Sequence, residues 1–254
     1  MKNILQPLVF LLLLAGCNPS KERKIEKIIL ISANAEWSVV KNTFSEEAIF
    51  NSLWGEYFFK ELKVGNGLET VIFFHGGWGK VAAAGSTQYC IDQWAPRYII
   101  NLGTCGGFEG AIKKLDVILV DKTVIYDIGE AMGDSRGAIN DYATTIDLSW
   151  LGNNFPTPVT KTLLVTADKD IVPAEIPKLE SDFKAIAGDW ESGAIAYTCA
   201  KNNQRVLILR GVSDLVSLQK GGEAYQNKPV FIQGTNAVMK DLLKDLPLWL
   251  AKCP

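Results

Sequence analysis

Short apolar runs alternate along this chain with polar, glycine-containing segments. Runs rich in Val, Ile and Leu cover residues 27–32, 98–102, 116–124, 161–167 and 206–209. Continuous runs of this length are typical of strands that are buried on both faces. Segments with helical character separate several of them, so the pattern predicts alternating strands and helices. That order favours a parallel or mixed sheet in a single α/β domain.

Other segments predict a hairpin, loops and helices. Residues 56–64 and 68–74 form two strand patterns joined by Gly65-Asn66-Gly67, a strong hairpin signal. Loops are predicted for the glycine-rich segments 75–80 and 103–107 and for residues 129–142. Helices are predicted over residues 81–93, 192–201 and 229–246, and the last of these is interpreted as core packing without a role in chemistry.

Polar side chains follow the strand at residues 206–209. Arg210, Ser213 and Asp214 come directly after it, where open α/β sheets bind their ligands. Such groups are costly to bury without partners. For this segment alone, an ordinary Arg–Asp ion pair at a strand end explains the pattern as well as a site does.

Three further polar residues stand at comparable turns. Glu36 follows the first strand, Thr104 lies within the second glycine-rich segment, and Glu191 precedes a helix. Glu36 and Glu191 each have a structural explanation of their own, since a carboxylate at the start of a helix interacts favourably with the helix dipole. Together with Arg210 and Asp214, they are expected to converge, as hydrolysis or transfer at a sugar carbon requires.

Composition narrows the class of protein. The chain has 254 residues, of which 48% are hydrophobic, with a net charge of −2. This is enough for one large globular domain, and it gives no electrostatic case for binding nucleic acid. The cysteines outside the N-terminal segment, together with a lone His75, show no metal-ligand spacing, so neither a metal nor a cofactor is expected. Cys90 and Cys199 are expected to be buried thiols, and His75 to be structural.

The N-terminal segment predicts export. Residues 1–16 combine Lys2 with an apolar run too short to span a bilayer, and the run ends at Leu-Ala-Gly-Cys17. That ending resembles a bacterial lipobox. We therefore expect a lipoprotein signal peptide at 1–16, a lipid-modified Cys17 with a polar tether at 17–26, and a folded domain at 27–254. The mature protein is then extracytoplasmic and membrane-anchored.

Four motifs together resemble a known family. They are GWGKVAAA at 77–84, INLGTCGG at 100–107, DWESGAIA at 189–196 and RGVSD at 210–214. In this order the chain resembles the purine nucleoside phosphorylase/uridine phosphorylase superfamily, and most closely the methylthioadenosine/S-adenosylhomocysteine nucleosidases, over residues 27–243. The resemblance implies a three-layer α/β/α fold with a central mixed β-sheet, cleavage of a purine N-glycosidic bond, and a homodimer or larger homo-oligomer.

The resemblance also implies roles for single residues. Asp214 matches the acid that protonates the purine, and Glu36 the base that activates water. Arg210 matches an arginine beside that water, which completes the candidate catalytic set. The implied substrate-binding residues are Glu191 at the ribose hydroxyls, Thr104 near the anomeric carbon, Ser213 beside Asp214, and Trp190, Ile171 and Gly77.

The choice between hydrolysis and phosphorolysis depends on arginines. Phosphorolytic members place an arginine just before the second glycine-rich segment, and this chain has Asn101-Leu-Gly there. A phosphate fork without guanidinium groups is hard to build, so water is the favoured nucleophile. A phosphorylase and a non-catalytic nucleoside-binding lipoprotein stay as alternatives. Lys169-Asp170 replaces an aromatic residue of the nucleosidases and Trp190 replaces a methionine, which leaves the base and the 5′ substituent open.

Overall fold

The computed structural model describes residues 24–253. The predicted signal peptide, Cys17 and most of the predicted tether lie outside the described residues. Eleven strands of the described chain join in one sheet: β1 (Lys27–Ile31), β2 (Phe50–Asn51), β3 (Glu56–Val64), β4 (Gly67–His75), β5 (Tyr98–Phe108), β6 (Val117–Ile125), β7 (Thr144–Thr145), β8 (Thr160–Thr166), β9 (Ala187–Asp189), β10 (Arg205–Ser217) and β11 (Gly221–Gly222).

Six α-helices of the described chain accompany this sheet. They are α1 (Asn34–Thr43), α2 (Gly79–Trp94), α3 (Ser135–Asp141), α4 (Ile176–Phe183), α5 (Ser192–Lys201) and α6 (Lys228–Leu250). Helix α2 packs against α5, and α1 packs against α6. The predicted fold class, helical layers around a central mixed sheet, is confirmed. None of the described helices is long and apolar enough to cross a membrane.

Strand β5 is the centre of the sheet. It pairs in parallel with β1 and β10, and β1 pairs in parallel with β4 of the predicted hairpin. On the other side β10 runs antiparallel to β6, β6 parallel to β8, and β8 parallel to β9, which returns to β5. Because β1, β5 and β10 start level with one another, their carboxyl ends lie at one edge of the sheet. The polar residues that follow their apolar segments therefore meet.

The hydrophobic pattern explains which strands form the core. Every residue of β1 is buried, and in β5 and β10 all but one or two are. Full burial on both faces is what their continuous apolar runs predicted. The edge hairpin β3–β4 instead shows mixed burial, since one of its faces is exposed to solvent.

Two strands are longer than predicted. Residues 103–107, predicted as a loop, continue β5 to Phe108, and β10 runs through Ser213 and Asp214 to Ser217. The two strands pair as far as Val216 and Phe108. Glycine suits β5 here because its neighbours are close: a Cβ at Gly107 would lie 2.8 Å from Val212 Cγ1. The loop prediction was wrong because long-range pairing outweighed the local glycine signal.

The other predicted elements differ less from those in the structure. Residues 135–141, predicted as part of a loop, form the short helix α3, whose first turn is capped by the Asp134 side chain. Strand β3 and helix α5 have the predicted bounds. All four cysteines of the described residues are free and buried, which confirms the interpretation of Cys90 and Cys199 as buried thiols. His75 stacks on Trp37 with ring centroids 5.3 Å apart, and burial lowers the pKa of its imidazole, as expected for a structural histidine.

Candidate active site

A cavity of about 960 Å³ opens at the carboxyl edge of the sheet. Seven of the residues predicted from the sequence line it: Glu36, Thr104, Ile171, Trp190, Glu191, Ser213 and Asp214. The predicted convergence is thus present in the structure. Two predicted residues, Arg210 and Gly77, do not line the cavity. Among the described residues, no group of three or more His, Cys, Asp or Glu side chains is arranged to hold a metal ion.

Arg210 lies wholly buried behind the cavity wall. Its Nη2 donates to Asn101 Oδ1 at 2.8 Å and lies 3.0 Å from Asp189 Oδ2, and its Nε donates to Ser192 Oγ at 2.9 Å. The nearest ion-pair partner of Arg210 is therefore Asp189. The alternative weighed from the sequence, an ion pair between Arg210 and Asp214 at the strand end, is not what the structure shows. Asn101, which stands where phosphorolytic relatives place an arginine, instead accepts a hydrogen bond from this guanidinium.

Two more carboxylates lie farther from the same guanidinium. Glu36 Oε1 is 3.8 Å from Nη1, and Glu191 Oε2 is 3.7 Å from Nη2. Glycine at position 103 makes this arrangement possible, because a Cβ there would lie 2.1 Å from Arg210 Nη1 and 2.9 Å from Glu36 Oε1. One buried cation therefore lies within 3.8 Å of three carboxyl groups, those of Glu36, Asp189 and Glu191.

Glu36 is held by three hydrogen-bond donors. Its Oε1 accepts from Thr104 N at 2.6 Å and from Thr104 Oγ1 at 2.9 Å, and its Oε2 accepts from Ala33 N at 3.1 Å. The residue sits in the first turn of α1, and Thr104 lies on the adjacent strand β5. Donors directed at both oxygens stabilise a negative charge. The site therefore presents Glu36 as a fixed carboxylate at the cavity wall.

Glu191 is a carboxyl group of a different kind. It precedes α5, and its Oε1 accepts from Gly79 N at 3.2 Å. Burial raises the pKa of Glu191 to about 8, and Asp189 and Glu36 add to the rise while Arg210 opposes it. Asp189 itself accepts from Ser192 N at 3.0 Å and from Thr166 Oγ1 at 2.7 Å. It thereby caps α5 as well as pairing with Arg210.

Asp214 lies on β10, four residues after Arg210, and lines the cavity. Ser213 Oγ donates to its Oδ1 at 2.6 Å. Burial raises the pKa of the Asp214 carboxyl above its ordinary value, and this hydrogen bond opposes the rise. Neighbouring residues on a regular strand face opposite sides. The register shift between Val212 and Asp214 is a bulge that lets Ser213 and Asp214 both reach the cavity.

Aromatic side chains close the cavity. Trp190 stacks on Trp78 with ring centroids 4.6 Å apart and an interplanar angle of 29°, so one face of the indole predicted to stack on a base is already covered. The Tyr225 hydroxyl donates to the main-chain oxygen of Ile171, which joins the walls on either side of Asp214. Gly77 lies in the turn before α2 with φ +79°, and it is Gly79, two residues on, that contacts Glu191.

The sequence analysis missed several cavity residues. Besides Trp78 they include Tyr126, Asp189, Tyr225, Phe231 and Ile232. Trp78 stands inside the GWGKVAAA motif, so a signal for it was available. Phe231 and Ile232 belong to the first turns of α6, which line the cavity; the interpretation of that helix as core packing alone was therefore wrong.

The cavity lacks the arginine fork that would bind a phosphate ion, and its lining in the described chain contains two lysines. Of the lysines that line it, Lys169 is held by Glu175 at 2.8 Å and Lys228 lies in the first turn of α6. Arginine is absent from the lining in the described part of the chain, and Arg210 behind it already faces three carboxylates.

Comparisons with known proteins agree with this geometry. The sequence profile of the phosphorylase superfamily matches residues 38–246. A 5′-methylthioadenosine/S-adenosylhomocysteine nucleosidase of Buchnera aphidicola is 30% identical over 181 residues, which are 67% of this chain and 77% of that protein. The nucleosidase of Bacillus cytotoxicus is 27% identical over 233 residues, 87% of this chain and 99% of that protein. The crystal structure of the nucleosidase from Streptococcus pneumoniae in complex with 8-aminoadenine superposes with a TM-score of 0.72 at 19% identity, covering 90% of this chain and 100% of that one.

The chain belongs to the phosphorylase superfamily and, within it, to the methylthioadenosine/S-adenosylhomocysteine nucleosidase family. The resemblance seen in the four sequence motifs is thereby confirmed, and so is the expectation of an enzyme that hydrolyses N-glycosidic bonds. These comparisons identify the family and assign no role to an individual site residue.

Proposed function

We propose that this protein hydrolyses the N-glycosidic bond of a purine nucleoside, of the methylthioadenosine or S-adenosylhomocysteine type, to a free base and a ribose derivative. One observation carries the proposal: a single cavity holds two carboxyl groups in opposite environments. Glu36 is surrounded by hydrogen-bond donors, whereas burial raises the pKa of Asp214. Such a contrast separates a base from an acid.

Asp214 is the proposed general acid. Cleavage of the bond passes through an oxocarbenium-like transition state, in which the leaving base gains electrons from the breaking bond. A carboxyl group that still holds its proton can neutralise that base. The raised pKa of Asp214 favours the protonated form, and the hydroxyl of Ser213 fixes the position of its Oδ1.

Glu36 is the proposed general base. Its carboxylate can take a proton from water and also stabilise the positive charge that develops on the sugar. The hydroxyl of Thr104 faces the same carboxylate oxygen and would lie beside that water. Arg210 does not reach the cavity, so its proposed role is to hold Glu36, Asp189 and Glu191 in place by charge.

Glu191 is proposed to bind the ribose hydroxyls. It lines the cavity between Trp190 and the Gly79 backbone. With its pKa raised to about 8, the carboxyl group can both donate and accept at neutral pH. Apolar side chains of Trp78, Phe231 and Ile232 suit a thioether substituent at the 5′ position, the feature that the named relatives' substrates share.

Water is the proposed nucleophile rather than phosphate. A phosphate ion near Glu36 would face carboxylates whose one nearby guanidinium is already shared among three of them. The direct test measures free base and free sugar from a panel of nucleosides, with and without phosphate. Release without phosphate supports the proposal, and release only with phosphate identifies a phosphorylase. Tight binding without release would favour the binding-lipoprotein alternative.

We further propose that the enzyme is an extracytoplasmic lipoprotein anchored through Cys17. The described chain begins at Lys24, next to the amino-terminal end of β1, whereas the cavity lies at the opposite, carboxyl edge of the sheet. An anchored domain would therefore direct the cavity away from the bilayer. Cys17→Ser should move the protein from the detergent phase to the aqueous phase in a phase-separation assay. An unchanged partition would contradict the anchor.

A homodimer is the proposed assembly. Ile49, Phe50, Leu53, Trp54 and Phe59 are exposed close together around β2 and β3, and Leu53 is 96% exposed. An apolar cluster of this kind marks a protein interface. Light scattering should give twice the chain mass, and Leu53→Glu should reduce it, whereas Leu68→Glu at the tip of the β3–β4 hairpin should not. A wild-type monomer at all concentrations would contradict the proposal.

A further inference from the structure

We propose that Lys80 is a positioning residue for Glu191: it holds the turn 77–80 in the place where that turn orients the ribose-binding carboxyl group. The inference rests on the proposed function of the cavity. It goes beyond that function by assigning a role to a residue that does not itself line the cavity.

The turn 77–80 cannot hold its shape by local preference. It runs from just after β4 into the first turn of α2, which begins at Gly79, and two of its residues, Gly77 and Gly79, have φ values of +79° and +82°. Glycine adopts this region freely and loses more conformational entropy than other residues when it is fixed. A Cβ at Gly79 would also lie 3.0 Å from Asp168 Oδ1. Contacts from outside the turn must therefore hold it.

Lys80 makes those contacts with both its backbone and its side chain. Lys80 N donates to Asp168 Oδ1 at 2.8 Å, and its Nζ contacts Asp127 Oδ1 and lies 3.7 Å from Asp168 Oδ2. The two residues are themselves joined, since the main-chain N of Asp168 donates to Asp127 Oδ2 at 2.9 Å. Asp127 and Asp168 follow β6 and β8, which are parallel neighbours. Lys80 thus fastens the turn to the carboxyl edge of the sheet.

This ion pair is more than a surface contact. The side chain of Lys80 is 20% exposed and that of Asp127 is 17% exposed. Ion pairs in water contribute little, but removing one partner of a largely buried pair leaves an uncompensated charge. Without Lys80, the carboxylates of Asp127 and Asp168 would face each other without a cation between them. Of the contacts that Lys80 makes with the sheet, the turn would then keep only the hydrogen bond from Lys80 N to Asp168 Oδ1.

The turn meets the ribose-binding segment at two points. Gly79 N donates to Glu191 Oε1, and Trp78 stacks on Trp190. Both contacts are made by the two residues that directly precede Lys80, so displacement of the turn loosens both. Glu191 then loses a hydrogen bond that fixes its side chain. We therefore expect weaker binding of the ribose hydroxyls and no change at the proposed acid, Asp214.

The test measures binding without turnover. Two uncleavable C-nucleoside analogues, one with both ribose hydroxyls and one 2′,3′-dideoxy, are titrated by calorimetry. Lys80→Met should weaken binding of the hydroxylated analogue by about 10-fold or more, the scale of a hydrogen bond to a charged group. The loss should be several-fold smaller for the dideoxy analogue, which lacks the hydroxyls that Glu191 would bind and is affected only through the Trp78–Trp190 wall. Lys80→Arg should restore part of the loss, and the exposed control Lys240→Met should change neither affinity.

A double variant shows whether Lys80 acts through Glu191. In a Glu191→Ala background, Lys80→Met should cause little additional loss, because the side chain that Lys80 helps to position is absent. Asp127→Asn provides a second route if Lys80→Met does not fold, and it should show the same selective loss. Equal loss for both analogues, or wild-type affinity for both, would overturn the inference. Failure of the wild-type protein to bind either analogue would instead refute the proposed function itself.

Discussion

Arg210 Nη2 lies 3.0 Å from Asp189 Oδ2, and both side chains are almost completely buried. Glu36 and Glu191 lie slightly farther from the same guanidinium, so that three cavity-lining carboxyl groups surround one arginine buried behind the wall. Asp214, four residues beyond Arg210 on the same strand, lies outside that group and hydrogen-bonds to Ser213. The site therefore separates the carboxyl groups that lie around a buried cation from Asp214, the proposed general acid.

Removal of Arg210 should destabilise the fold. Arg210→Met would leave three buried carboxyl groups without their cation, a loss of about 3–5 kcal/mol in the free energy of unfolding. Urea denaturation measures the difference. The exposed Arg97→Met should cost less than about 0.5 kcal/mol. Equal stability of Arg210→Met and the wild-type protein would show that the carboxyl groups do not depend on this guanidinium.

Asp214→Asn should remove the acid without removing the binding site. The expected fall in kcat for a purine nucleoside is about 10²–10⁴-fold, with the affinity for an uncleavable analogue largely kept. A 4-nitrophenyl riboside should lose far less activity, since its leaving group needs no proton. Wild-type rates on the nucleoside would exclude Asp214 as the acid. Asp92→Asn, on the exposed surface of α2, is the matched control.

Glu36→Gln should separate catalysis from binding in another way. The amide cannot take a proton from water, so kcat should fall by about 10²–10⁴-fold for both leaving groups. Activity on the nitrophenyl riboside thus distinguishes this variant from Asp214→Asn. Steady-state kinetics on both substrates makes the comparison, with the exposed Glu46→Gln as control. Selective loss on the purine nucleoside alone would contradict the assignment of Glu36 as the base.

The raised pKa of Glu191 predicts a pH-dependent stability. Between its ordinary pKa near 4.5 and its folded value of about 8, the unfolded chain has released this proton and the folded chain has kept it. The folded state then binds more protons, so the free energy of unfolding decreases as pH rises through this range. Glu191→Gln removes that contribution.

Urea denaturation of Glu191→Gln and of the wild-type protein at pH 5, 6.5 and 8 tests this pH dependence. The stability of Glu191→Gln relative to the wild-type protein should improve as the pH rises. A difference that stays constant from pH 5 to 8 would show that the pKa of Glu191 is not raised in the folded state.

Much of the site was predictable from local sequence. Glu36, Glu191 and Asp214 occur in motifs beside apolar strands, and parallel strands bring such positions to one edge. The partner of Arg210 was not predictable, because Asp189 lies on another strand, β9, and no local pattern indicates the contact. The bulge in β10 was not predictable either. That bulge depends on pairing with β5, which is set by residues about 100 positions away.

The aromatic walls show the same limit. The stack of Trp78 on Trp190 joins residues more than 100 positions apart, and no local pattern indicates it. The first turns of α6 were assigned to the core because their apolar residues share the helical period of the buried ones. Periodicity identifies the apolar face of a helix, but it does not show which part of that face packs in the core and which part lines a cavity.

The central claim is that water attacks the sugar in this cavity. The measurement is hydrolysis of methylthioadenosine in water enriched in oxygen-18, without phosphate, followed by mass spectrometry of the sugar product under conditions that limit exchange at the anomeric carbon. The account predicts release of adenine and one heavy oxygen in the sugar at the earliest time points, with both signals lost in Glu36→Gln. Sugar phosphate formed only when phosphate is added, with no release in its absence, would contradict it.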